Sequence, residues 1–100
     1  MSTLKFFMDT HDHRSQTFPA TISPPDFAQV FGAFDQACTD EGVVVLRAHV
    51  GFDDGRAFCF TMARDVAQVR SAHQAIGLEF ESITEVATAT PGDIFLEPAS

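Results

Sequence analysis

The chain has 100 residues, 45% hydrophobic, with eleven phenylalanines and neither tryptophan nor tyrosine. That suits a single domain spanning residues 1–100 with a modest core, and is too short for two. Six Lys and Arg stand against fourteen Asp and Glu, a formal net charge of −8, so the field repels phosphate backbones and the expectation is no nucleic-acid partner.

Two cysteines do not make a disulfide framework. The opening MSTLKFFMDTHDH lacks the basic region and sustained apolar run of a signal peptide. No segment approaches the roughly 18 consecutive apolar residues of a membrane span. No membrane contact and a cytoplasmic location follow as expectations.

In chain order, Leu4 to Asp9 alternates as a short strand, apolar on both parities, which suits a central position. Thr10 to Pro25 breaks the pattern and is expected to be a loop, longer than the usual connection. His11, Asp12 and His13 open it. Ser23 followed by Pro24 predicts a helix start, and Asp26 favours its positive end. Phe27, Val30, Phe31, Phe34 and Cys38 then form one helical stripe, and Gly42 closes the helix.

Val43 to Met62 reads as two strands around a turn. Asp53-Asp54-Gly55 suits a three-residue loop with Gly55 in the left-handed region. That loop pairs Phe52 with Arg56 and sets His49 opposite Cys59. It also places Leu46, Ala48 and Val50 on one face with Phe58, Phe60 and Met62. A two-residue turn would pair His49 with Phe60 and mix polar and apolar faces.

A second helix opens at Asp65 or just before, with Val66, Val69, His73 and Ile76 on one stripe, Ala72 beside it, and Gly77 as its close. His73 stands where a hydrophobe normally would, either as a core histidine paired to the backbone or as a ligand at the helix–sheet boundary. A last strand runs from about Ile83 to Thr90. Pro91-Gly92 stops it, and Ile94, Phe95 and Leu96 are expected to extend against a neighbour or another subunit.

The order strand, helix, strand, strand, helix, strand predicts an α+β, ferredoxin-like βαββαβ domain. It has a four-stranded antiparallel sheet with both helices on one face. The first and third strands are expected parallel at its centre. The uncovered face would carry Phe7, Val45, Arg47, His49, Ala57, Cys59 and Thr61. Packing of two such faces makes a homodimer of the dimeric α/β-barrel type the expected partner state.

Candidate metal ligands fall in three places. His49 and Cys59 would give two donors per chain, and four across a dimer axis. Asp9, His11 and His13 form a second group, expected near Glu41 and away from the hairpin turn. His73 projects to the helix side and does not join His49. Imidazole suits nickel, copper and zinc, and thiolate suits zinc or copper(I) and serves nickel.

LRAHVGFDDGRAFCF, then SAHQAIGL, then ITEV resembles the small bacterial nickel-binding, nickel-responsive proteins, over about Leu4 to Val86. AFC at Ala57–Cys59 and AH at Ala72-His73 carry the likeness. The resemblance implies a ferredoxin-like, dimeric protein with nickel or another divalent transition metal as cofactor, concerned with metal sequestration or response. It places Cys59 and His73 on recurring positions. Two other classes stand beside it. A small dimeric α/β-barrel enzyme, monooxygenase- or isomerase-like, would use His73 or His49 as a base. A non-catalytic small-molecule binding module would need only the open sheet.

Overall fold

A computed structural model describes residues 3–94. Strand β1 spans Lys5–Asp12, helix α1 Pro24–Asp40, β2 Val44–Gly51, β3 Arg56–Ala63, α2 Val66–Ala75 and β4 Ser82–Val86. The sheet order is β2-β3-β1-β4, with every neighbouring pair antiparallel. This is the expected ferredoxin-like plan, with one correction: β1 and β3 are adjacent at the centre but antiparallel. In each split βαβ unit it is the two outer strands that run parallel, and the strand between them opposes both.

The helix starts follow from side-chain capping. Ser23 accepts from the Asp26 amide at α1, with Pro24 inside the first turn. Asp65 accepts from the Ala67 amide at α2, and the Gln68 side chain returns to the Asp65 amide. Gly42 and Gly77, just past the two helices, have φ of +78° and +65°, a conformation that costs glycine little. The stripes point inward at Phe34, Ala37 and Cys38 on α1 and at Val69, Ala72 and His73 on α2. They pack over a floor that includes Phe7, Cys59 and Ala63.

The hairpin departs from expectation. Gly51 pairs with Arg56, so the loop holds four residues, Phe52 to Gly55, and His49 sits opposite Phe58 while Ala48 faces Cys59. The reason is Phe52. Its ring leaves the ladder to pack edge-on against Phe27 of α1, centroids 6.0 Å apart. One residue of slip exchanges the two faces. Ala57, Cys59, Thr61 and Ala63 are buried, whereas Phe58, Phe60 and Met62 are half-buried on the side away from the core. The physical gain is shape: small side chains form the floor that Phe34 and His73 fill from above. A bulge between Val45 and Arg47 then returns Val45 to the core side.

Strand β1 continues three residues past Asp9, so Thr10, His11 and Asp12 belong to the sheet rather than to a loop. Asp12 pairs with Arg56 across the ladder, and Thr17 ties it down through both its amide and its hydroxyl. A single 3₁₀ turn, His13–Ser15, follows. The end of β1 therefore lies beside the hairpin turn, where the His13 amide donates to the Gly55 carbonyl, and not near Glu41. Strand β4 stops at Val86. Beyond it, Ala89–Thr90 pairs with Asp93–Ile94 across Pro91-Gly92 as a separate two-stranded ladder, β5 and β6. Phe95 and Leu96, expected to extend this segment, lie outside the described residues. No described helix is long and apolar enough to cross a membrane.

Candidate metal centre

Asp9 and His11 are two apart on a central strand and so project to the same face, the one under the helices. His73 comes down onto them from the middle of α2. Relative exposures are 0% for Asp9, 2% for His11 and 0% for His73, so each polar atom must find its partner inside the protein. The His11 Nδ1 donates to the Glu79 carbonyl at 2.7 Å, and the His73 Nδ1 to the Val69 carbonyl at 2.8 Å. A carbonyl only accepts, so both Nδ1 atoms carry hydrogen. Both Nε2 atoms then point at one oxygen, Asp9 Oδ2, at 2.6 Å from His11 and 3.0 Å from His73.

The rings are held by stacking as well as by hydrogen bonds. His11 and His73 lie 5.5 Å apart with 26° between planes, and Phe34 and Phe80 flank His73 at 4.7 and 4.9 Å. One donor atom from each of Asp9, His11 and His73 falls within 4.8 Å of the others, the group among the described residues spaced to hold an ion. Asp9 Oδ1 is buried without a hydrogen-bond partner. That orphaned oxygen and the two converging Nε2 atoms fit a divalent transition ion. Each would accept a metal in place of a proton, while the carbonyls fix ring orientation from behind.

Burial alone would push the Asp9 carboxyl up. The hydrogen bonds from His11 and His73 and their charge outweigh it, and the group is held below the usual carboxylate value. The triad thus carries a buried anion. Burial, and then the Asp9 charge, push the Cys59 thiol well above its ordinary range, and the same two causes, with Asp35, raise Cys38 to about 12. Both cysteines are free and buried.

The other residues singled out from sequence fall elsewhere. His49 and Cys59 are on opposite faces of the sheet, which ends the proposed pair. His49 is exposed, accepts from Arg47 Nε at 3.2 Å and meets the Phe60 ring edge-on. Cys59 is on the triad's face, directly across the ladder from Asp9, but outside the three-donor group. His13 lines a polar hollow with Arg14, Asp53, Asp54 and Arg56 at the hairpin end, apart from His11. His73, 62 positions from His11 in the chain, is brought to Asp9 and His11 only by the fold. The available signal was the shared parity of Asp9 and His11, had the strand been carried to His11, together with a histidine at a core position of α2.

The sequence profile described as nickel-responsive protein SCO4226-like matches residues 7–86, a span that includes Asp9, His11, Cys59 and His73. The chain belongs to this family. A solved relative in fold is SCO4226 from Streptomyces coelicolor A3(2), whose crystal structure superposes with a TM-score of 0.72. It is 22% identical, and the match covers 85% of this chain and 99% of that one, so the likeness with SCO4226 is one of fold. Among curated proteins no sequence match is found. The family description names nickel responsiveness, while the placement of donors in this chain comes from its own geometry.

Proposed function

We propose that this protein binds a divalent transition metal, nickel foremost, through Asp9, His11 and His73, and serves in metal response or sequestration in the cytoplasm. One observation carries the reading. With both Nδ1–H groups committed to carbonyls, two imidazole lone pairs and a carboxylate converge on one buried point. Without a proton or a cation at that point, three acceptors would face one another. Imidazole with carboxylate is a donor set suited to nickel, copper and zinc, and the family's nickel responsiveness favours the first.

The test is calorimetric titration with nickel, zinc and copper. The parent is expected to bind one nickel per chain, and Asp9→Asn, His11→Ala and His73→Ala to lose about tenfold or more in affinity. His13→Ala and His49→Ala should bind as the parent does. Unchanged affinity in the first three variants would overturn the assignment, as would a parent that binds nothing.

We also propose that two copies pair through the open sheet face. Phe6, Val44 and Leu46 expose 39%, 48% and 43% of their surface, and Phe58, Phe60 and Met62 are half-buried beside them. An apolar strip of this kind favours a partner. Sedimentation should give a dimer at micromolar concentration and a monomer for Phe6→Lys. A monomeric parent would refute the pairing.

A further inference from the structure

Register divides the open sheet face into two unlike ends. Phe6, Met62 and Val44 stand in line across β1, β3 and β2 and make one end apolar. Toward the hairpin the rows change character. Arg47 pairs with Phe60, His49 pairs with Phe58, and Asp12 lies in line with Arg56. This end therefore carries Arg47 and Arg56, two of only six Lys and Arg in a chain of net charge −8. Asp12 is the carboxylate among these rows, and it is already held by Arg14 and Arg56, at 3.1 and 3.0 Å. Among the described residues no carboxylate pairs with Arg47.

Arg47 is also fixed in orientation. Its guanidinium lies over the Phe60 ring, 4.7 Å from the centroid. Its Nε donates to His49 Nε2 at 3.2 Å. With Nε engaged, the two terminal nitrogens present the parallel donors that match a carboxylate. A neutral His49 that accepts at Nε2 carries its hydrogen on Nδ1, which adds a third donor. The next row repeats the pattern, with the Arg56 guanidinium 5.0 Å from the centroid of Phe58. A guanidinium backed by a phenyl ring is a flat surface on which an aromatic body stacks. Phe58 and Phe60 are two residues apart on β3, about 7 Å, which is the span of a one- or two-ring body.

We propose that the hairpin end of the open sheet face binds a small aryl monocarboxylate. The carboxylate takes the Arg47 fork, and the ring stacks on the Arg56–Phe58 pair. Charge sets the class: one free guanidinium satisfies one carboxylate, while the field of the chain disfavours a multiply charged anion. The site is independent of the metal centre, which lies under the helices on the other side of the sheet. It also leaves the apolar end around Phe6 and Val44 to the second copy.

The experiment titrates naphthoate into the full chain, followed by its fluorescence and by amide chemical shifts. One naphthoate per chain is expected, with shifts confined to residues 47–51 and 56–60. Arg47→Met keeps an apolar stem over Phe60 and removes the fork, so it should bind about tenfold more weakly or worse. Arg47→Lys keeps the charge without the paired donors and should recover only part of that loss. Naphthylmethanol, the uncharged analogue, should bind the parent at least about tenfold more weakly than naphthoate does. A parent whose spectrum does not move at millimolar naphthoate overturns the proposal. So does equal affinity in the parent and both Arg47 variants, or a set of shifts centred on Phe6 and Val44. An Arg47→Met chain that loses the dimer in sedimentation, while naphthoate binds neither protein, assigns the cation to pairing and overturns it too.

Discussion

Replacing Asp9 by Asn keeps the shape of the side chain and removes its charge. In the metal-free protein, Asp9 Oδ2 receives two hydrogen bonds from buried imidazoles, at 2.6 and 3.0 Å. Hydrogen bonds involving a charged group contribute about 1.5–3 kcal/mol each, and a buried group left unsatisfied costs about 1–3 kcal/mol. An Asn oxygen has lone pairs for both rings, but its bonds lose the charge assistance of a carboxylate, and its amide hydrogens fall where Asp9 Oδ1 has no partner. Charge assistance is lost and a buried amide is left unsatisfied, so we expect a destabilisation of about 1–3 kcal/mol at neutral pH. At roughly 4–8 °C per kcal/mol for a domain near this size, the melting temperature should fall by about 4–24 °C. Acid supplies the internal control. The folded-state value of Asp9 lies below 3.8, so its stabilisation is present above that pH and is lost as pH falls through the depressed value. The gap between parent and variant should therefore be widest near neutrality and close in strong acid, where both side chains are neutral. Thermal denaturation of the metal-free proteins across this range reads it directly. Equal melting temperatures at neutral pH, or a gap that persists unchanged into acid, would refute an ionised Asp9 held between the two imidazoles.

Two further outcomes follow from the geometry around the site. The Arg14 side chain and amide, both bonding to Asp12, hold its carboxyl at about 2, so its favourable contacts persist above the usual carboxylate value and are lost as pH falls toward 2. Arg14→Ala should raise that titration toward 3.8, and carboxyl chemical shifts that do not move would count against the pairing. At the other end, Asp65→Ala removes the cap of α2, the helix that carries His73. About 0.5–2 kcal/mol of stability should go with it, by urea denaturation, with the metal stoichiometry retained. A variant as stable as the parent would show that the capping box contributes nothing.

Helix positions, caps and element order were legible because each rests on local chemistry. Ser23-Pro24, Asp65 and the glycines at 42 and 77 act on their own turns, and the structure places them as read. The errors arose where a distant residue decides. Nothing within the hairpin says that Phe52 will leave the ladder for Phe27 on α1, yet that single contact adds a residue to the loop and exchanges the faces of β3. The same exchange moves Cys59 from a presumed open surface to the core and strands His49 on the other side. The alternation of apolar residues ends at Met8, and Asp9 and Asp12, types depleted in strands, flank His11, so the local pattern points to a loop there. In the fold, a central strand flanked by β3 and β4 overrides that preference.

The composition of the core argues that the triad is retained for more than stability. Asp9, His11 and His73 occupy fully buried positions on the central strand and the covering helix, where Phe34, Val69 and Ala72 are their neighbours in kind. Well-packed apolar replacements for a buried ionic group are often neutral or stabilising, by roughly 1–4 kcal/mol. A core of this size gains little by holding three titratable groups and an orphaned carboxylate oxygen. The backbone also commits the Glu79 and Val69 carbonyls to orienting the two rings. Ring orientation of that kind matters little for packing and greatly for a ligand whose bonds are directional. If the apolar triple replacement Asp9→Leu, His11→Val and His73→Phe yields a folded, metal-free protein more stable than the metal-free parent, the triad's cost is measured. Nickel should then raise the melting temperature of the parent and leave that of the replacement where it was.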